Sequence, residues 1–172
     1  MKFFLILFLF VLNLNAPVIS EQKIVFVDMD RLVSVSKPGS SIFNQLKDIN
    51  DKNLSFLKNK EKEFKEKEKK LITQKNIISD TDFKNKVKEL KSEVNNYNQN
   101  RKQMIEKFNK LKIENTNNLL KLINPILTKF SNENEISIIL KKKDLIIGKT
   151  ELDITDKIIK IIDNEIKEFK IK

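Results

Sequence analysis

The chain has 172 residues, a formal net charge of +10, only two Gly and three Pro, and no Cys, His or Trp. So few turn formers argue against an all-β or doubly wound fold. The missing Cys and His exclude a disulfide scaffold and any ordinary zinc or thiol site, and no cofactor is expected.

Lys2 precedes an apolar run from Phe3 to Leu12 that is too short to span a bilayer, and Ser20 offers a small residue for cleavage after Val18 and Ile19. Residues 1–20 therefore read as a secretory signal peptide, with an uncleaved anchor as the alternative. Next, Lys23 to Asp28 is a continuous apolar run ending in an acid, expected as a buried strand. Asp28 and Asp30 have no second acid–base cluster behind them. They read as a strand end, with Asp30 capping a short helical turn from Arg31 to Val35.

Lys37-Pro38-Gly39-Ser40-Ser41 is the one Pro-Gly punctuation, and Ser40 or Ser41 is expected to cap the following helix. Ser34-Val35-Ser36-Lys37 matches the S-x-x-K pattern of penicillin-binding enzymes, and Gly148-Lys149-Thr150 has the look of a nucleotide or penicillin-site triplet. Neither carries the rest of its motif, so both are accidental and no enzyme is expected.

From Ile42 to about Lys75 nothing breaks a helix, but its apolar residues thin outward to a single line, Leu57, Phe64 and Leu71, one contact per heptad. Glu61 to Glu68 alternates charges that support the helix surface by a few tenths of a kcal/mol per pair. Residues 76–82 then break the pattern, with Ser79, Asp80 and Thr81 as N-cap candidates. A second, longer stripe follows: Phe83, Val87, Leu90, Val94, Tyr97, Met104, Phe108, Leu111, Leu119 and Leu122, with Arg101 and Asn115 in its two polar slots. The 4-3-4-3 spacing is that of a coiled-coil seam about 60 Å long, which must be covered by something else.

A short break between two long seams makes an antiparallel αα-hairpin. Residues 42–123 form this arm, with Phe83 expected near Leu71, Leu90 near Phe64 and Tyr97 near Leu57. Its tip, near residues 76–82, carries Ile77 and Ile78 among Lys69, Lys70, Lys75, Lys84 and Lys86. Between Ile42 and Lys121 there are 20 Lys and Arg against 12 Asp and Glu, so the arm holds most of the positive charge. A Lys-rich, Ala-poor composition suits an AT-rich genome, but that bias does not explain the local excess over acids.

Pro125 is expected to kink the second helix or start a new turn. Beyond it, Glu135 to Leu140 reads as a strand, Lys141 to Asp144 as a turn, and Leu145 to Gly148 as a further short strand. Asp153 or Thr155 then caps a last amphipathic helix reaching Phe169. Residues 21–41 and 124–172 thus form a small β-containing body, about 70 residues with exposed strand edges, and oligomerisation is the economical way to stabilise it. The fold class is α+β, mostly helical: a long helical arm on a small β body.

The layout resembles the Skp (OmpH) family of periplasmic chaperones of Gram-negative bacteria. The resemblance rests on the signal peptide, the strand Lys23 to Asp30, the charged hairpin with Ser79-Asp80 near its tip, Glu135 to Leu140 with Asp144 to Ile147, and Leu152-Asp153-Ile154-Thr155-Asp156 before the last helix. It implies a homotrimer in which the β bodies join into a barrel-like base through residues such as Ile24, Val25, Phe26, Val27, Ile136, Ile138, Leu140 and Ile146. It further implies that three arms surround a cavity holding unfolded outer-membrane proteins, without ATP. Phe56, Ile72, Ile105 and Ile113, off the main seam, would offer adaptable client contacts, with ordinary surface or hairpin packing as the competing role; Ile77, Ile78, Lys69, Lys70, Lys75, Lys84 and Lys86 at the tip are the other candidate client-binding residues. With only Arg31 and Arg101, the chain has no match to the family's lipopolysaccharide-contacting pattern, although contact with lipopolysaccharide or an anionic membrane fits the basic arm.

Two other classes compete. A structural coiled-coil protein of the envelope calls for long uninterrupted heptads and an anchor, whereas this hairpin returns to a folded body. Nucleic-acid binding calls for aromatic residues interleaved with basic ones, which are missing, and an export signal opposes it.

Overall fold

The two strands among the described residues, β1 (Lys23–Val27) and β2 (Ile136–Lys141), pair in parallel, with Val25 beside Ile139 and Phe26 beside Leu140. Parallel neighbours need a crossover connection. Here the crossover is almost the whole protein: α1 (Met29–Val35), α2 (Lys37–Gln74) and α3 (Asp80–Glu133). A final helix, α4 (Thr155–Glu165), closes the chain. This computed structural model describes residues 22–171, so the signal-peptide reading of residues 1–20 lies outside the described residues.

The core gathers at the root of the hairpin. Val25 and Val27 of β1, Leu32 of α1, Ile42 and Leu46 of α2, Leu119, Ile123 and Ile126 of α3, and Ile158 and Ile162 of α4 are all buried together. Each such side chain contributes roughly 1.5–3 kcal/mol over its exposed state. Farther out, the only buried residues of the two long helices are Asn115 and Tyr97.

Several local expectations change. Asp28, not Asp30, caps α1, its Oδ1 accepting the Arg31 N–H at 2.9 Å. Ser36, not Ser40 or Ser41, caps α2, and Lys37-Pro38-Gly39 is its first turn rather than a loop. Pro is welcome there because first-turn amides have no helical acceptor. Gly39 is needed because a Cβ would fall 1.7 Å from the Val33 carbonyl oxygen of the preceding helix. α3 runs on through Pro125 without interruption. It ends at Asn134, and Glu135 takes a left-handed φ of 54° to turn the chain into β2.

The expected strand from Leu145 to Gly148 does not form. A 3-10 turn (Lys142–Asp144) leads into an irregular loop in which Ile146 and Ile147 are 99% and 90% exposed. The free side of β1 is instead met by Asp153 and Ile154: Phe26 bridges Asp153, and the Ile154 N–H bonds to the Phe26 carbonyl at 3.0 Å. With that edge taken, the loop passes over the Phe26 ring, where Gly148 lies so close that an added Cβ would sit 2.6 Å from the ring. Ile146, assigned to the β body, is thus on its surface and outside any strand. The last helix also stops earlier than expected, at Glu165 rather than Phe169.

The two faces of the small sheet differ. Val25 and Val27 point into the core, with Ile139 against it, while Ile24, Ile138 and Leu140 remain 39–44% exposed on the other face.

Candidate functional site on the helical arm

The arm is built from weak helices that hold each other. In α2 the Lys and Glu pattern supplies pairs along the surface, Lys60 to Glu63 at 2.7 Å and Lys67 to Glu63 at 3.5 Å. Lys60, then Lys67, hold the Glu63 carboxyl below its usual range. Lys67 also crosses to Glu93 of α3 at 2.5 Å, and this bond raises the Lys67 ammonium above its usual value against the opposing pull of desolvation. Exposed pairs of this kind are worth little individually. They set register more than stability.

The central contact is aromatic. Phe64 and Tyr97 meet edge to face with centroids 5.4 Å apart, and the Tyr97 hydroxyl donates to Glu61 Oε1 at 2.8 Å. Burial, then the Glu61 carboxylate, push the Tyr97 phenol upward. This pairing is one to two turns nearer the tip than the expected Leu57. The cause is the lean of helical side chains toward their own N-terminus. Residues of α2 lean toward the body and those of α3 toward the tip, so contacts form between residues higher in number on both helices than backbone levels alone imply. The Lys86 to Gln74 bond at 3.2 Å follows the same shifted register.

Between these contacts the seam does not close. A groove of about 540 Å³ lies near the tip, lined by Phe64, Leu71, Ile72, Phe83, Leu90 and Val94 among others. A second, of about 490 Å³, lies nearer the body against Ile49, Phe56, Met104 and Phe108. The α3 polar residues at their rims, Lys91 and Asn95 against Gln103 and Lys107, fall on opposite flanks of the seam at about 100° per residue. The grooves therefore open on opposite faces of the arm.

Phe56 and Ile72, expected as client contacts, border these grooves and are 48% and 66% exposed. Ile105 and Ile113 are exposed but line neither groove. Ile77 projects from the tip at 79% exposure, while Ile78 is half-buried. Ser79 caps α3 by accepting the Asp82 N–H, and its hydroxyl donates to the Asp82 carboxylate at 2.7 Å. Lys69, Lys70, Lys75 and Lys84 are exposed, and among the described residues none is in an ion pair; Lys86 is exposed and holds Gln74. The structure thus brings Ile72, Ile77 and unpaired lysines to one end of the arm. The single apolar line of α2, one contact per heptad, cannot cover the fuller stripe of α3, and Leu71, Phe83, Leu90 and Val94 accordingly stay partly open.

No group of three or more Asp and Glu among the described residues is placed to hold a metal ion. No helix among them is long and apolar enough to cross a membrane.

The profile of the outer membrane protein (OmpH-like) family matches residues 23–162. The chain belongs to that family. A search of curated proteins gave no match. Among solved structures, a protein of Caulobacter crescentus CB15 described as a candidate outer membrane chaperone (OmpH-like) superposes with a TM-score of 0.82 at 16% identity, over 88% of this chain and 89% of that one. The OmpH-like chain described here therefore shares its arm-and-body fold with that protein, which is what so low an identity can carry.

Proposed function

We propose that this protein is an ATP-independent periplasmic chaperone that holds unfolded outer-membrane proteins against its arms and prevents their aggregation. The observation that carries the reading is the incompletely closed seam: apolar grooves along an arm whose surface and tip are studded with unpaired lysines. An unfolded β-barrel chain offers alternating apolar residues for such grooves, and often a net negative charge for the lysines. Many shallow contacts suit clients of differing sequence, because no single contact has to fit. Family membership and the name given to the structural neighbour agree with this role.

The working form we infer is a homotrimer. The outward face of the sheet, Ile24, Ile138 and Leu140, together with the projecting Ile146 and Ile147, is an apolar patch next to an unpaired strand edge. Such a surface on a small body calls for a partner. Identical bodies joined there would set three basic arms around one space. Contact of the arm tips with an anionic membrane or lipopolysaccharide would be secondary, and no enzymatic step is assigned.

The test is an aggregation assay with an unfolded β-barrel protein diluted from denaturant. The chain should keep it soluble at low salt and less well near 1 M salt, where screening shortens to about 3 Å. Failure to suppress aggregation at either ionic strength would remove the chaperone reading.

A further inference from the structure

After α4 the chain leaves the helix in extended backbone, with Ile166 at φ −114° and ψ 91°, and returns over the root of the arm. There the side-chain amide of Gln45 grips it twice. Gln45 Nε2 donates to the Phe169 carbonyl at 2.7 Å, and Gln45 Oε1 accepts the Ile171 N–H at 3.2 Å. The Ser41 hydroxyl donates to the same Phe169 carbonyl at 3.1 Å. Ile166, Phe169 and Ile171 are half-buried against the core. On the other side, Glu168 to Lys170 border a groove of about 590 Å³ whose remaining walls are Asn115, Asn118, Lys121 and Leu122 of α3.

Two features separate this contact from ordinary core packing. First, the polar recognition reads only main chain: a carbonyl of one residue and the N–H two residues on, the pair an extended strand presents along one edge. It is therefore indifferent to sequence, apart from apolar side chains at the spacing of Phe169 and Ile171. Second, residues 166–171 have no helix or strand of their own, so no regular element has to unravel when the segment leaves. Extended, sequence-tolerant, main-chain recognition with a flanking groove is how a protein holds a stretch of unfolded polypeptide.

We propose that Gln45 and Ser41 form a seat for an extended apolar segment, that residues 166–171 occupy it as an internal stand-in, and that a segment of unfolded client displaces them. The identity of the displacing chain rests on the chaperone reading above; the seat itself does not. Tethering gives the internal segment a high effective concentration, so a client must present several weak contacts at once, on the grooves and lysines of the arm, to win the seat. The stand-in thus shields the seat from short or isolated peptides.

The experiment uses the full chain and a fluorescein-labelled peptide of residues 164–172. Phe169→Ser, which weakens the hold of the internal segment, should bind the peptide saturably and at least about tenfold more tightly than the unaltered chain. Adding Gln45→Ala to that variant should weaken peptide binding again by about tenfold, as expected for two lost hydrogen bonds. On the unaltered chain, an unfolded β-barrel protein should speed amide exchange in residues 166–171 without speeding it in α4. Equal peptide binding by the unaltered and Phe169→Ser chains, or unchanged exchange on adding a client that the chain does keep soluble, would overturn the proposal and make the segment a fixed part of the body. Peptide binding with no suppression of aggregation would retain the seat and discard the chaperone reading.

Discussion

Phe64 and Tyr97 pack edge to face across the arm with ring centroids 5.4 Å apart, and they are the only aromatic pair joining its two helices among the described residues. Tyr97 is also the one buried apolar residue of the arm beyond the core at its root. The outer arm therefore depends on a single well-made contact. Phe64→Ala should cost about 1–2 kcal/mol locally, the aromatic pairing plus part of its buried area. Hydrogen exchange should rise in residues 60–100 and stay unchanged in β1 and α4. Equal loss of protection in the body would mean that arm and body open as one unit.

Tyr97 is the only tyrosine in the chain, so its ionisation can be followed by absorbance without interference. Burial, then the neighbouring Glu61 carboxylate, favour the neutral phenol, so it should titrate above the ordinary value of 10.0 in the native state. A group raised on folding stabilises below its unfolded pKa and loses that stabilisation as pH climbs through the raised one. Native protein should thus ionise at higher pH than urea-unfolded protein. Glu61→Gln should close part of the gap, leaving the share due to burial. Coincident native and unfolded titrations would show that the hydroxyl is not held as described.

Asp153 gives the opposite sign. Burial pushes its carboxyl up, but hydrogen bonds from Lys142 and Thr155 outweigh that and bring it below 3.8. It accepts from Lys142 Nζ at 2.8 Å and from the Thr155 N–H at 2.9 Å, fixing the start of α4 beside β1. The Thr155 hydroxyl in turn accepts the Asp28 N–H at 2.9 Å. A lowered carboxylate stabilises above its unfolded pKa, and this is lost as pH falls below 3.8 toward the native value. Asp153→Ala should cost about 2 kcal/mol at neutral pH. Its denaturation midpoint should then fall less steeply than that of the unaltered chain between pH 4 and 2. An unchanged acid limb would place the acid sensitivity elsewhere.

These residues also mark where sequence was a sufficient guide. The stripe from Phe83 to Leu119 and the Ser79 cap are legible because helical period and capping chemistry are local. Leu122, by contrast, is 47% exposed, and Ile123 and Ile126 enter the core in its place. The two-helix arm followed, since a narrow seam has few other solutions. The α2 start differs from expectation because Pro38-Gly39 serves both loops and first turns, and only the 1.7 Å approach to Val33 shows why glycine is there. Leu145 to Gly148 has strand composition but pairs with neither strand, and the free side of β1 is met by Asp153 instead. Phe56 and Ile72 could be picked as off-seam residues. The grooves beside them depend on how far apart two imperfectly matched helices stand, which no single helix records. The Gln45 contact to Phe169 joins residues 124 positions apart by a side-chain amide, and no local pattern announces it.

The projecting loop offers the sharpest test of the assembly. Ile146 is 99% exposed in the single chain, so Ile146→Ser removes no intramolecular contact and should leave the stability of an isolated body within about 0.5 kcal/mol. Ile138→Lys places a charge on the outward face of β2 beside Ile24, where the single chain is also open. If identical bodies meet on this face, both substitutions act only on association. The mature protein, without residues 1–20, should sediment at three times the mass of its single chain at micromolar concentration. The double variant should shift toward monomer, with its helical circular dichroism largely kept. It should also lose most suppression of client aggregation, because one arm encloses nothing. A double variant that remains trimeric would move the interface off this face, and an unaltered chain that sediments as a monomer would remove the enclosing arms altogether.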